Sequence, residues 1–112
     1  MSGTISANFV DAIALPRIIW LRPNLIGLAF PLMKLLPARF IIRKALEEGQ
    51  LHPGGLIAET TSGTFGLALA MVARLQGHPL TLVSDPAIDA PLNRRLEDLG
   101  ATVHIVREPG PT

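Results

Sequence analysis

Apolar residues fall in two kinds of pattern along this chain, short continuous runs and helical stripes. Residues 18–21 (IIWL) and 25–30 (LIGLAF) are short apolar runs separated by Arg22-Pro23-Asn24. Runs of this length bounded by turn residues predict two short strands, the second ended by Pro31. Pro37 suits the first turn of a helix, where a missing N–H costs nothing. Beyond it, Ala38, Ile41, Ile42, Ala45 and Leu46 form an apolar face. Arg43, Lys44, Glu47 and Glu48 form the wet one, and Gly49 closes the helix. His52-Pro53-Gly54-Gly55 is a turn.

The second half alternates more regularly. Residues 56–60 (LIAET) read as a strand and 64–76 as a helix apolar nearly all round, ended by Gly77. Residues 80–84 (LTLVS) are a further strand, broken by Asp85-Pro86. Ile88, Leu92, Leu96 and Leu99 mark a helix face, with Asn93, Arg94, Arg95, Glu97 and Asp98 outside it and Gly100 as its cap. Residues 102–106 (TVHIV) are the last strand. Strands alternating with helices imply parallel strands joined by right-handed crossovers. The strands at Leu56 and Leu80 are mostly apolar, as strands covered on both faces should be. The expected fold class is therefore α/β, a three-layer arrangement with a parallel sheet and helices on both faces. Residues 1–15 read as an N-terminal extension, 16–108 as the folded region and 109–112 as a tail.

Composition sharpens this picture. The chain has 112 residues, 48% hydrophobic and 17% charged. That is enough for one modest domain, yet unusually apolar for one so small. A partner surface is expected: a second copy in a homodimer, another chain, or more of the same chain. The net charge of +1 offers no footprint for nucleic acid. The absence of cysteine removes disulfides, thiolate chemistry and Cys-based zinc sites, and fits a reducing, cytoplasmic compartment. Residues 1–8 lack the basic start of a signal peptide. Residues 13–42 are the most apolar segment, but prolines and charges leave no run long enough to span a membrane. His52, His78 and His104 show no metal-ligand spacing and read as surface or structural residues, and Trp20 as a packing residue.

Two features carry chemistry. The stretch 59–70, ETTSGTFGLALA, sets hydroxyls and glycines at the mouth of a helix, at the carboxyl end of a strand. Ligands bind there in open parallel sheets, and the first N–H groups of the helix have no intrahelical partner. Thr61, Ser62, Gly63 and Thr64 suit either a helix cap or a cradle for a carboxylate or phosphate. Lys34 lies between Met33, Leu35 and Leu36. Such neighbours are expected to desolvate it, favouring the neutral amine that forms Schiff bases, unless its head snorkels to water. Glu59 either orients the loop or faces solvent. Asp85-Pro86, at another strand exit, is a candidate wall of the site.

These features share one order with a known family. The chain reads LMKLLPARFIIRKALEEGQLHPGG, then LIAETTSGTFGLALA, then RRLEDLGATV. This resembles the N-terminal part of the fold-type II pyridoxal-phosphate enzymes, the cysteine synthase and cystathionine β-synthase group. There a lysine in a GSxKDR-type segment precedes AEEEGxLxPGG and EPTSGNTGxALA. The resemblance covers residues 12–108. It implies a lyase or transferase of amino-acid metabolism, catalysing β-elimination and β-replacement with pyridoxal 5'-phosphate. By it, Lys34 holds the cofactor and Thr64 contacts the cofactor ring. Thr61, Ser62, Gly63, Thr64 and Phe65 form the loop for the carboxylate of an amino-acid substrate. Thr64 replaces the usual asparagine, Phe65 the usual threonine, and Leu35 and Leu36 the aspartate and arginine after the lysine. A phenylalanine beside the loop is expected to narrow the site. The family's phosphate-gripping glycine loop lies in a later domain and has no counterpart here, since Gly54-Gly55 belongs to a turn. The chain is thus expected to be a fragment with little activity alone, needing the missing C-terminal domain or a larger subunit. The alternatives are a non-catalytic assembly protein derived from this fold and a membrane-associated protein.

Overall fold

A computed structural model describes residues 9–61 and 63–107 of the chain. Its elements run α1 (Phe9–Ala14), β1 (Arg17–Arg22), β2 (Leu25–Ala29), α2 (Leu35–Glu47), β3 (Ile57–Thr60), α3 (Thr64–Gln76), β4 (Leu80–Ser84), α4 (Ala90–Asp98) and β5 (Thr102–Ile105). The α/β architecture with a parallel sheet is present. Strands β3, β4 and β5 lie in that order, all parallel, with Ile57 opposite Leu80 and Leu82 opposite Val103.

Each element follows from its residues. Helix α2 starts two residues before Pro37, so the proline sits in the first turn. Leu35, Ala38 and Ile42 form its buried stripe, while Ile41, expected on that stripe, is half exposed. Gly49, with φ +77°, follows the helix end in the left-handed region. Helix α3 buries a continuous block, Ala68 to Ala73, and ends on Gly77 at φ 78°. Helix α4 begins at Asp89, whose side chain accepts the N–H of Leu92, with Pro91 in the first turn.

The core joins α1, α2, α3, α4 and one face of the sheet. Leu35, Leu82, Leu96, Val10 and Val72 are its fully buried large side chains. The segment before residue 16 therefore does more than extend the chain. Val10 and Ala14 of α1 are buried, and Asp11 pairs with Arg39 of α2 at 3.0 Å. Leu80, Leu82 and Ser84 are buried, and Ile57 and Val103 beside them pack against the core. The alternate positions Ala58, Thr60, Thr102 and His104 are exposed. Two right-handed crossovers that step the same way across a sheet put both helices on one face, and this burial pattern agrees. Strand β4 is the central, well-covered strand; β3 is an edge strand, and its expected cover on both faces is absent among the described residues.

Strands β1 and β2 stand apart. They pair antiparallel, Ile18 with Leu28 and Trp20 with Ile26, around the two-residue turn Pro23-Asn24. Among the described residues the hairpin makes no extensive packing with another element. Trp20, expected to be a packing residue, is 71% exposed, and Ile18, Leu21 and Leu28 are also exposed. The radius of gyration is 16.6 Å, where a compact chain of this length has about 13 Å.

Candidate active site

Strand β3 delivers its last residue, Thr60, to the carboxyl edge of the sheet, and Thr61 stays tied there by its N–H to the carbonyl of Val83 at 3.1 Å. The chain then turns through Gly63 into α3. The hydroxyl of Thr61 accepts the N–H of Gly63 at 3.4 Å, and Gly66 N–H reaches the Gly63 carbonyl at 3.2 Å. Gly63 is the N-cap, at φ −126° and ψ −157°, and no described side chain caps the helix. The capping role that Thr61 and Thr64 suit by sequence is thus not what they perform. Ser62 lies outside the described residues.

This leaves the start of α3 with N–H groups that no described side chain satisfies, and with the partial positive charge of a helix N-terminus. Gly63 and Thr64 are exposed, and a Cβ built on Gly63 would meet nothing within 4 Å. Gly63 has extended backbone that any residue adopts, so neither conformation nor crowding within the chain requires glycine there. An anion approaching the backbone would find room.

Phe65 turns elsewhere. Its side chain is half buried against the core and lines a groove with Ile41, Ala45, Ile57, Glu59 and Leu69, between α2 and the β3 edge. Glu59 is exposed, and its Oε1 accepts the N–H of Thr60 at 2.7 Å, so it braces the strand end. Asp85 at the exit of β4 accepts the N–H of Ala87 at 2.9 Å and shapes its own turn.

Lys34 lies at the N-cap of α2, the helix packed against α3. Its side chain is exposed, so the desolvation expected from its neighbours is not supplied by the described residues. Met33 and Leu36 point to solvent, and only Leu35 is buried. The two lysines of the chain differ in one respect. Lys44 pairs with Glu48 at 3.7 Å and lies 5.8 Å from the Phe40 ring centre, whereas Lys34 makes no described ion pair or hydrogen bond with its amine. No hydrogen bond joins Lys34 to the loop among the described residues.

The remaining candidates are structural. His78 is buried with Nδ1 3.0 Å from the carbonyl oxygen of Gly55, while His52 and His104 are exposed. Gly54-Gly55 forms a turn at the amino end of β3, the end away from the loop, with Gly55 N–H on the carbonyl of His52. No described helix is long and apolar enough to cross a membrane. Two local features lie beyond what residue spacing reveals: the Asp89 cap of α4, although Pro91 follows it at helix-start spacing, and the closeness of the Thr61 side chain to Gly66.

A family model described as "Pyridoxal-phosphate dependent enzyme" matches residues 32–112, which include Lys34 and the whole loop. O-ureido-L-serine synthase superposes with a TM-score of 0.79 at 24% identity, over 91% of this chain and 36% of its own. Cysteine synthase from Entamoeba histolytica gives 0.79 at 20% identity, over 96% and 36%. A hydrogen sulfide-producing enzyme from Fusobacterium nucleatum gives 0.78 at 19% identity, over 93% and 38%. At such identities the likeness establishes the fold. The chain spans little more than a third of the length of these enzymes.

Proposed function

The chain belongs to the pyridoxal-phosphate dependent enzymes, and we propose that it is the front portion of a cysteine synthase-like catalytic unit of the cytoplasm. Its substrate would be a small amino acid such as an activated serine, taken through β-elimination and β-replacement. The observation that carries this reading is the start of α3: a helix N-terminus that no described side chain caps, at the carboxyl edge of a parallel sheet, with open space above Gly63.

The residues present fit part of the cofactor's needs. Lys34 offers an exposed amine that makes no ion pair among the described residues, so it is open to attachment. The desolvation that favours its neutral form would come from the cofactor and the further domain closing over it. When bound, the cofactor supplies an electron sink for charge developing on the substrate's α-carbon. Lys34 then takes and returns the α-proton, the general-base role. The N–H groups of Thr64 and Phe65 and the hydroxyls of Ser62 and Thr64 hold the substrate carboxylate, and Thr64 also reaches the cofactor ring. Phe65 contributes through its backbone, since its ring faces the α2 groove. The phosphate group has no grip among the described residues, because the one glycine pair lies at the far end of β3. Activity accordingly requires a further domain or a larger subunit.

A second reading draws on the hairpin. Its exposed apolar strands suit a chain that works by docking on a larger subunit or a second copy, without chemistry of its own. One experiment separates the two. In the complete, cofactor-loaded enzyme, Lys34→Ala abolishes the visible absorption of the lysine–cofactor bond if the first reading holds. A co-purifying complex that shows no such absorption before mutation supports the second.

A further inference from the structure

We propose that Gly66 and Thr61 form a seat that sets the height of the loop over α3, making Gly66 a positioning residue and Thr61 a shaping residue of the loop. The proposal deepens the reading of this loop as a carboxylate cradle and rests on it. Gly66 is buried in the first turn of α3 and its φ is not positive, so the backbone does not demand glycine. Glycine is disfavoured within a helix relative to alanine, so another constraint must hold it there. That constraint is the side chain of Thr61. A Cβ on Gly66 would lie 2.7 Å from Thr61 Cγ2, far inside van der Waals contact. The next neighbours, Leu82 Cδ1 at 3.4 Å and Thr61 Oγ1 at 3.7 Å, are at ordinary or nearly ordinary distances.

The Thr61 methyl thus rests on the bare backbone of Gly66. Its hydroxyl turns forward to accept the Gly63 N–H, and its own N–H is held by Val83. Thr61 is anchored on three sides, which sets where the chain enters Gly63 and therefore where the free N–H groups of α3 stand. The Thr61 hydroxyl is engaged within the loop, so in the proposed cradle the carboxylate is left to the Ser62 and Thr64 hydroxyls and the N–H groups of Thr64 and Phe65.

The test is a double-mutant cycle on the 112-residue chain, read by thermal melting and by amide resonances of the loop. Gly66→Ala in the native background should lower Tm by on the order of 5 °C and shift the amides of Gly63, Thr64 and Phe65. In a Thr61→Ser background the methyl is gone while the hydroxyl stays. There Gly66→Ala should be neutral or raise Tm, since the helix preference for alanine is then unopposed. If Gly66→Ala alone does not fold, folding of the Gly66→Ala/Thr61→Ser pair is the expected rescue. Equal losses in both backgrounds, failure of the pair to fold, or rescue by Leu82→Val in place of Thr61→Ser would overturn the proposal. L-serine added to the complete, cofactor-loaded enzyme tests the cradle separately. Unmoved loop amides there, with the rescue intact, would remove the carboxylate reading and leave the seat standing.

Discussion

Nδ1 of His78 lies 3.0 Å from the carbonyl oxygen of Gly55, tying the turn that feeds β4 to the turn that feeds β3. The bond is reinforced one step on, where Ile57 N–H reaches the Pro79 carbonyl at 2.9 Å. A carbonyl only accepts, so Nδ1 carries the proton. Because His78 is 6% exposed, His78→Ala leaves a cavity and a carbonyl without its partner. The expected loss is about 1–3 kcal/mol, measured as the shift of the urea midpoint at unchanged slope.

The Asp89 cap is separable from the rest of α4. Asp89→Ala should cost about 1 kcal/mol, and Asp89→Ser should recover most of it by the same bond to Leu92 N–H. Melting curves of the two variants check the order.

Leu35 and Leu36, at the positions where the resembled family has aspartate and arginine, should behave oppositely. Leu35 is fully buried and Leu36 is 45% exposed. Leu35→Ala should cost about 2–5 kcal/mol and Leu36→Ala less than about 0.5 kcal/mol. Equal losses would mean that α2 is rotated about its axis from the arrangement described.

Trp20, the chain's single tryptophan, reports on the hairpin. At 71% exposure its emission should match that of a water-exposed indole in the isolated chain. A blue shift with rising protein concentration would reveal a second copy covering the hairpin, and a blue shift on adding a larger subunit would reveal that partner.

Much of this arrangement is legible in the residues. Helix α3 and strand β4 follow the sequence pattern to the residue, because Gly77 and Asp85-Pro86 punctuate them and their apolar runs are long. Helix α1 escaped because a six-residue element beside a polar start gives too few turns for a period, although Val10, Ile13 and Ala14 fall at helical spacing. The apolar runs of β1 and β2 reveal strands but not their surroundings. Nothing in IIWL distinguishes a covered strand from one awaiting cover, so Trp20 reads as core. At the site, spacing locates the loop and Lys34. The environment of Lys34, the outward turn of Phe65 toward α2 and the closeness of Thr61 to Gly66 depend on contacts between elements.

The most direct test of the account is borohydride reduction of source-cell lysate, followed by mapping any reduced pyridoxal adduct on the two lysines. The account expects the adduct on Lys34, with Lys44 unmodified in its pairing with Glu48. An adduct on Lys44, or neither lysine modified in a lysate whose other pyridoxal enzymes are labelled, would contradict it.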